Sequence, residues 1–181
     1  MHLIVDPFAS DDVAELMTWF PDMASVVQWA GPRLRAPLDH SQFQSLLDTP
    51  DQEGTWRAWT VRKSGHQVVG HFELLFDPIC GQATLGRVAI APNARGKGYA
   101  APLVQAALEI AFGRDDIHRV ELRVFDFNAA AVAVYERLGF VREGTCRDAV
   151  RVGPEAWNVH IMSLLRREWN AVTLDDRTTS R

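Results

Sequence analysis

Val88-Ala89-Ile90-Ala91-Pro92-Asn93-Ala94-Arg95-Gly96-Lys97-Gly98-Tyr99-Ala100 is the stretch that decides how this chain is read. Val88 to Ala91 lacks polar alternation, as expected of a strand covered on both faces. Pro92 stops it, and residues 93–98 suit neither strand nor helix. From Tyr99 to Phe112, Leu103, Ala106, Ala107 and Ile110 recur at helical spacing, and Pro102 falls in the first turn, where its missing N–H costs little. A strand therefore runs through a glycine-rich loop into a helix. Gly96 and Gly98 let the backbone N–H groups gather in one concave nest. The helix N-terminus adds partial positive charge, and Arg95 and Lys97 add full charges at the rim. Such a turn suits a phosphate or pyrophosphate; a plain strand-to-helix turn is the other reading of the same glycines. Two familiar loops are excluded. Ala101 stands where a dinucleotide fingerprint needs its third Gly, and Gly98 follows Lys97 where a P-loop needs Ser or Thr.

Downstream, His118 to Phe127 alternates as a strand, and Asn128 opens a helix over Ala129–Leu138. Gly139-Phe140 reads as a left-handed cap with an apolar contact back onto the last turn. Val141–Val152 and Trp157–Leu165 read as a hairpin joined through Gly153-Pro154. Upstream, three strands are expected: Trp56–Lys63, Val68–Phe76 and Ala83–Ala91, with turns at Ser64-Gly65-His66 and Asp77-Pro78. The first fifty residues are a helical lead-in after a short strand at Leu3–Asp6. Ser10, with Asp11 and Asp12 behind it, starts a helix bearing Val13, Leu16, Met17 and Phe20. Met23–Trp29 is a second helix stopped by Gly31-Pro32, and Ser41–Leu47 a third ended by Asp48-Thr49-Pro50. The expected fold class is α/β (or α+β), a mixed sheet of about six or seven strands flanked by helices. Residues 1–181 are expected to form a single domain, with the lead-in at 1–50, the sheet core at 55–169 and a flexible tail at 170–181.

The 181 residues carry 19 Lys and Arg against 23 Asp and Glu, a net charge of -4, so the basic excess of a nucleic-acid binder is missing. Two cysteines, Cys80 and Cys146, make no disulfide framework, and no metal-ligand spacing is present. Leu3-Ile4-Val5 is too short for a signal peptide, and no run is long and apolar enough for a membrane span. A cytoplasmic setting is the expectation.

Arg95-Gly96-Lys97-Gly98-Tyr99-Ala100 resembles Arg/Gln-x-x-Gly-x-Gly/Ala, the acetyl-CoA pyrophosphate loop of the GNAT superfamily of N-acetyltransferases. Leu85 to Ile90 before it looks like that family's fourth strand. Asn128 to Phe140 after it is similar to the family's Asn-x-x-x-x-x-x-Tyr-x-x-x-Gly-Phe signature. The ending Met162 to Trp169, and the lead-in with Trp19, Trp29, Gly31-Pro32 and Pro37-Leu38, look like the branch that acetylates ribosomal-protein N-termini and small amines. The resemblance spans about residues 1–169.

The resemblance implies a GNAT-like sheet splayed at its centre, with acetyl-CoA in the gap between the strands around Val88 and Leu122. Val88, Ala89 and Ile90 would pair with the pantetheine arm. Arg95, Gly96, Lys97, Gly98, Tyr99 and Ala100 would hold the pyrophosphate, and Asn128 would bond the cofactor or a water while also capping its helix. Tyr135 would give a proton to the departing thiolate. An oxyanion donor is expected from a main-chain N–H near Ile90. Some family members carry a basic Glu where this chain has Thr84, so Glu73, which shares side-chain parity with His71 on the neighbouring strand, is the first candidate for general base, with Asp126 behind it. Asn158 stands where relatives often have Asp. The implied partner is a primary amine, either a protein N-terminus or a small molecule, and a homodimer is left open. The competing readings are a non-catalytic acyl-CoA sensor of the same fold and a phosphate-binding domain of unrelated chemistry.

Overall fold

The computed structural model describes residues 3–48, 56–64 and 66–170. Seven strands form one sheet: β1 (Leu3–Pro7), β2 (Trp56–Lys63), β3 (Val68–Asp77), β4 (Gln82–Ile90), β5 (Arg119–Phe125), β6 (Val141–Val152) and β7 (Glu155–Leu165). They lie in the order β1-β2-β3-β4-β5-β7-β6. The β4–β5 pair is parallel and the other five are antiparallel. The helices are α1 (Ser10–Met17), α2 (Met23–Ala30), α3 (Gln44–Asp48), α4 (Ala100–Phe112) and α5 (Ala129–Arg137), with 3-10 turns at His40–Phe43 and Pro92–Ala94. The expected mixed sheet flanked by helices is therefore present. Thr49, Pro50, Thr55, Gly65 and residues 171–181, on which parts of the sequence reading fall, lie outside the described residues.

Alternation along β3 shows how the layers are shared. Gly70 faces α4 so closely that a Cβ there would meet Leu103 Cδ1 at 2.3 Å. His71, on the opposite face by the period of two, meets the rings of Phe8 and Trp29. The lead-in helices thus cover one face of the sheet, and α4 with α5 the other. The lead-in is tied down by a buried polar group. Asp12 of α1 accepts from Thr60 Oγ1 at 2.7 Å and from Arg62 Nη2 at 2.5 Å on β2. Burial pushes the Asp12 carboxyl up, but the hydrogen bonds from Arg62, Thr60 and the Ala9 N–H outweigh it and hold the carboxyl below its usual value.

Several boundaries differ from the sequence reading. Ala9, not Ser10, is the N-cap of α1, because the Asp12 carboxylate reaches back to the Ala9 N–H at 3.1 Å. Phe20 lies beyond the end of α1, yet is buried and stacked on Trp29. The buried stripe of α4 is Leu103, Val104, Ala107, Leu108 and Ala111; Ala106 and Ile110 are only half-buried. The helix is apolar around most of its girth, so contact with both the sheet and α5 selects the face that periodicity left open. β5 ends at Phe125, two residues short of the expected Phe127. The Gly139-Phe140 cap forms as expected: Gly139, at φ 93°, donates to Glu136 O, and Phe140 donates to Tyr135 O at 3.0 Å.

Candidate active site

β4 and β5 pair from Gln82 and Arg119 as far as Leu85 and Leu122, and no further. Beyond that point Arg123 to Phe125 remain paired to β7, while β4 continues beside β3. The parallel strands part at the centre of the sheet. A bulge in β4 accounts for the parting. His71 pairs with Ala89 but Glu73 with Gly86, so Arg87 and Val88 together oppose Phe72. A bulge bends the strand that carries it and increases its twist. Arg87 sits at φ 47°, in the left-handed region, which costs a residue with a side chain about 1–3 kcal/mol.

At the far end of β4 the chain turns through the glycine-rich loop. Gly96 and Gly98 adopt φ 73° and 81°, and a Cβ on either would have nothing within 4 Å, so the space over the loop is open. Tyr99 is the N-cap of α4 and makes no side-chain capping bond, and the first turn of any helix has no intrahelical acceptors for its N–H groups. Arg95 Nε donates to Ile90 O and Lys97 Nζ to Asn93 O, with both side chains exposed at the rim. Open strand edges, a nest of positive-φ glycines and an uncapped helix N-terminus fit a pantetheine-linked pyrophosphate.

On the lead-in face, four side chains surround the bulge. Trp29 Nε1 of α2 donates to the Arg87 main-chain oxygen at 2.7 Å. The Arg87 guanidinium donates to both oxygens of Glu73 at 3.2 and 3.0 Å, and its carbon lies 5.9 Å from the Trp56 ring. Gly86 is needed here, since a Cβ would meet Trp56 at 2.7 Å. Glu73 has no exposed surface. His71 Nε2 stands 3.3 Å from Glu73 Oε1, and His71 Nδ1 is the single buried side-chain nitrogen or oxygen without a partner among the described residues.

On the other face, Asn128 Oδ1 accepts the Ala131 N–H at 3.3 Å and so caps α5. Tyr135 is buried, with its ring 5.7 Å from Phe140 edge to face. Burial pushes its phenol up to about 12, so it is protonated throughout the neutral range. Where β5 ends, Asn158 Nδ2 donates to Asp126 at 2.8 Å while Asn158 Oδ1 accepts the Asp148 N–H. An open cavity of about 680 Å³ is lined there by Arg147, Asp148 and Asn158.

The structure thus has Val88, Ala89 and Ile90 on the splayed edge, Arg95 to Tyr99 in the loop with Ala100 opening α4, Asn128 capping α5 and Tyr135 on it, and Glu73 beneath the bulge. Sequence reasoning missed Arg87, Trp29 and Trp56 as one group. An Arg on β4 with a Glu of matching parity on β3 was a visible signal, but the bulge that brings them into register was not.

A parallel pair that opens beside a glycine-rich loop with free space above it suits an acyl-CoA. Residues 2–141 match the family model described as an acetyltransferase (GNAT) domain, and the chain belongs to that family. It is an N-acetyltransferase by class, with acetyl-CoA as the acyl donor. The spermidine N(1)-acetyltransferase of Vibrio cholerae serotype O1 is 26% identical over 128 residues, 71% of this chain and 74% of that protein. The uncharacterized N-acetyltransferase p20 of Bacillus licheniformis is 30% identical over 152 residues, 78% and 85% of the two chains. Among solved structures, that of the Vibrio cholerae spermidine N-acetyltransferase in complex with CoA and spermine has the same fold. Its TM-score is 0.80 at 23% identity, covering 92% of this chain and 97% of that one. No helix among the described residues is long and apolar enough to cross a membrane.

Proposed function

We propose that this protein transfers an acetyl group from acetyl-CoA to a cationic primary amine that enters from the lead-in face of the sheet. The observation that carries the reading is the parting of β4 from β5 after Leu85 and Leu122, beside the open nest of Gly96 and Gly98. Bound acetyl-CoA supplies an activated thioester. Val88, Ala89 and Ile90 offer it unpaired strand edge, residues 95–100 hold its diphosphate, and Asn128 bonds it or a water while capping α5. Tyr135 donates a hydrogen bond to the departing sulfur. Its raised phenol pKa keeps that donor protonated at every working pH.

The acceptor must lose its charge before it attacks. A Lys-like amine, with a pKa of about 10.4, is almost wholly protonated at pH 7, whereas an α-amine near 7.7–8.0 is roughly a tenth neutral. Among the described residues the two carboxylates considered as bases both have partners, Glu73 in an ion pair with Arg87 and Asp126 accepting from Asn158, which favours the α-amine class or another amine of low pKa. Asp126, which keeps partial solvent access at the end of β5, is the carboxylate in place to draw the ammonium group in. Glu73, the first choice of base on sequence, is fully buried and ion-paired to Arg87.

The test is acetyl-CoA turnover with matched acceptors: a peptide with a free N-terminus and blocked Lys, the reverse peptide, and spermidine. Fastest reaction of the free N-terminus supports the α-amine reading. Preference for the internal Lys overturns it. A preference for spermidine, in line with the Vibrio cholerae relative, moves the acceptor to polyamines. Tight acetyl-CoA binding without turnover on a wide amine panel points to a sensor.

A further inference from the structure

We infer that Arg87, Glu73 and Trp29 form a clamp that fixes the Arg87–Val88 peptide so that its N–H faces the acyl group. This rests on the acetyl-transfer reading above. The argument begins with the outlier: an arginine in the left-handed region, inside a strand, where glycine would adopt φ 47° without strain. Such a conformation persists only where the surroundings hold it. Here the main-chain oxygen is taken by Trp29 Nε1, the guanidinium by both oxygens of Glu73, and the guanidinium face by Trp56.

The consequence follows from the planarity of the peptide. In a trans peptide the C=O and the next N–H point in opposite directions. The Arg87 oxygen is turned to α2, on the lead-in face, so the Val88 N–H is aimed towards the opposite face, where α4 and the phosphate loop lie. Val88 is one of the two bulge residues sharing Phe72 as partner, just past the point where β4 leaves β5. A preset donor at that place polarises the thioester carbonyl and stabilises the charge that grows on its oxygen. Arg87, Glu73 and Trp29 are positioning residues in this scheme, because they act through the peptide and touch no substrate atom. Glu73 is a counter-ion, and its full burial serves that role better than proton transfer with solvent.

The experiment uses the full chain with 13C-labelled acetyl-CoA and reads the carbonyl stretching frequency of the bound thioester and its Kd, neither of which needs an acceptor, beside kcat with whichever acceptor of the panel above reacts fastest. Wild type should lower the stretch relative to free acetyl-CoA. Trp29→Phe, which keeps the ring and removes only the donor, and Glu73→Gln should lose most of that shift while Kd stays within about threefold, and kcat should fall roughly 10- to 100-fold. The double variant Glu73→Gln/Arg87→Gln, which leaves no unpaired charge, should recover more of both than Arg87→Gln alone. A wild-type stretch in Glu73→Gln with turnover abolished would make Glu73 the base and overturn the clamp. A wild-type stretch in Trp29→Phe would overturn it as well. Failure of the wild type to bind acetyl-CoA would bring down the acetyl-transfer reading and the clamp with it.

Discussion

Leu85 and Leu122 are the last residues at which the parallel strands β4 and β5 are paired. Everything assigned to this protein follows from the gap that opens beyond them. Arg87, two residues later, sits in a bulge clamped from the lead-in side, and the positive-φ glycines Gly96 and Gly98 of the loop border open space.

Acetyl-CoA should raise the melting temperature, since a ligand that binds only the folded state adds RT ln(1 + [L]/Kd), about 2.7 kcal/mol at a hundredfold excess over Kd. For a chain of this length that is roughly 5–10 °C. Gly98→Val should remove the gain. A side chain at φ 81° is strained, and the space that it enters is free of protein atoms, so the loss reports on the ligand. An unchanged shift in differential scanning calorimetry would remove residues 95–100 from the site.

Tyr135→Phe should lower kcat by about 10²–10⁴-fold where chemistry limits turnover, with acetyl-CoA affinity kept within a few-fold. The ring stays on Phe140, so packing is preserved. Steady-state kinetics decide it, and wild-type kcat would make Tyr135 a core residue only.

The same tyrosine predicts an alkaline transition. Its phenol titrates near 10 when unfolded and near 12 when folded, so between those values the unfolded chain holds fewer protons and stability falls as pH rises. Below pH 10 its contribution is complete, and by pH 12 up to about 2.7 kcal/mol is lost. Urea unfolding at pH 9, 10.5 and 12 should show the fall in the wild type and a smaller one in Tyr135→Phe.

At the other end of the sheet, Arg119 donates to both oxygens of Glu143 at 2.7 and 2.6 Å, and Ser163 donates to one of them. These bonds pull the Glu143 carboxyl down to about 2. Its stabilisation is present above the unfolded value of 4.5 and is lost as pH falls towards 2. With 43% of the side chain exposed, solvent screening holds the contribution to about 1 kcal/mol. Glu143→Gln should therefore cost about that much at pH 7 and nothing at pH 2, as read by denaturant midpoints.

Gly70→Ala should destabilise the fold by about 1–3 kcal/mol. The new methyl meets Leu103 Cδ1 at 2.3 Å and the Ala89 carbonyl at 2.9 Å, and the backbone contact cannot rotate away. A midpoint within 0.5 kcal/mol of wild type, on the scale of ordinary surface changes, would refute the tight β3–α4 approach.

The sequence by itself determined the elements that local chemistry governs. Strand alternation, the Gly96 and Gly98 turn, the Asn128 cap and the Gly139-Phe140 stop each depend on residues a few positions apart, and each is where it was expected. The likeness of residues 85–100 and 128–140 to the acetyltransferase signature added the family and the donor. Tertiary structure alone decided the rest. Whether Arg87 enters a bulge depends on the register of β4 against β3, and one residue of slip changes every partner. Glu73 reads on sequence as a strand carboxylate with access to a cleft; it becomes a buried counter-ion only because Arg87, fourteen residues away, is turned onto it while Trp29, a further forty-four residues from Glu73 in the opposite direction, holds the same peptide. Ionic and hydrogen-bond partners at such separations leave no periodic trace in a single chain, because their geometry is set by sheet order and helix packing.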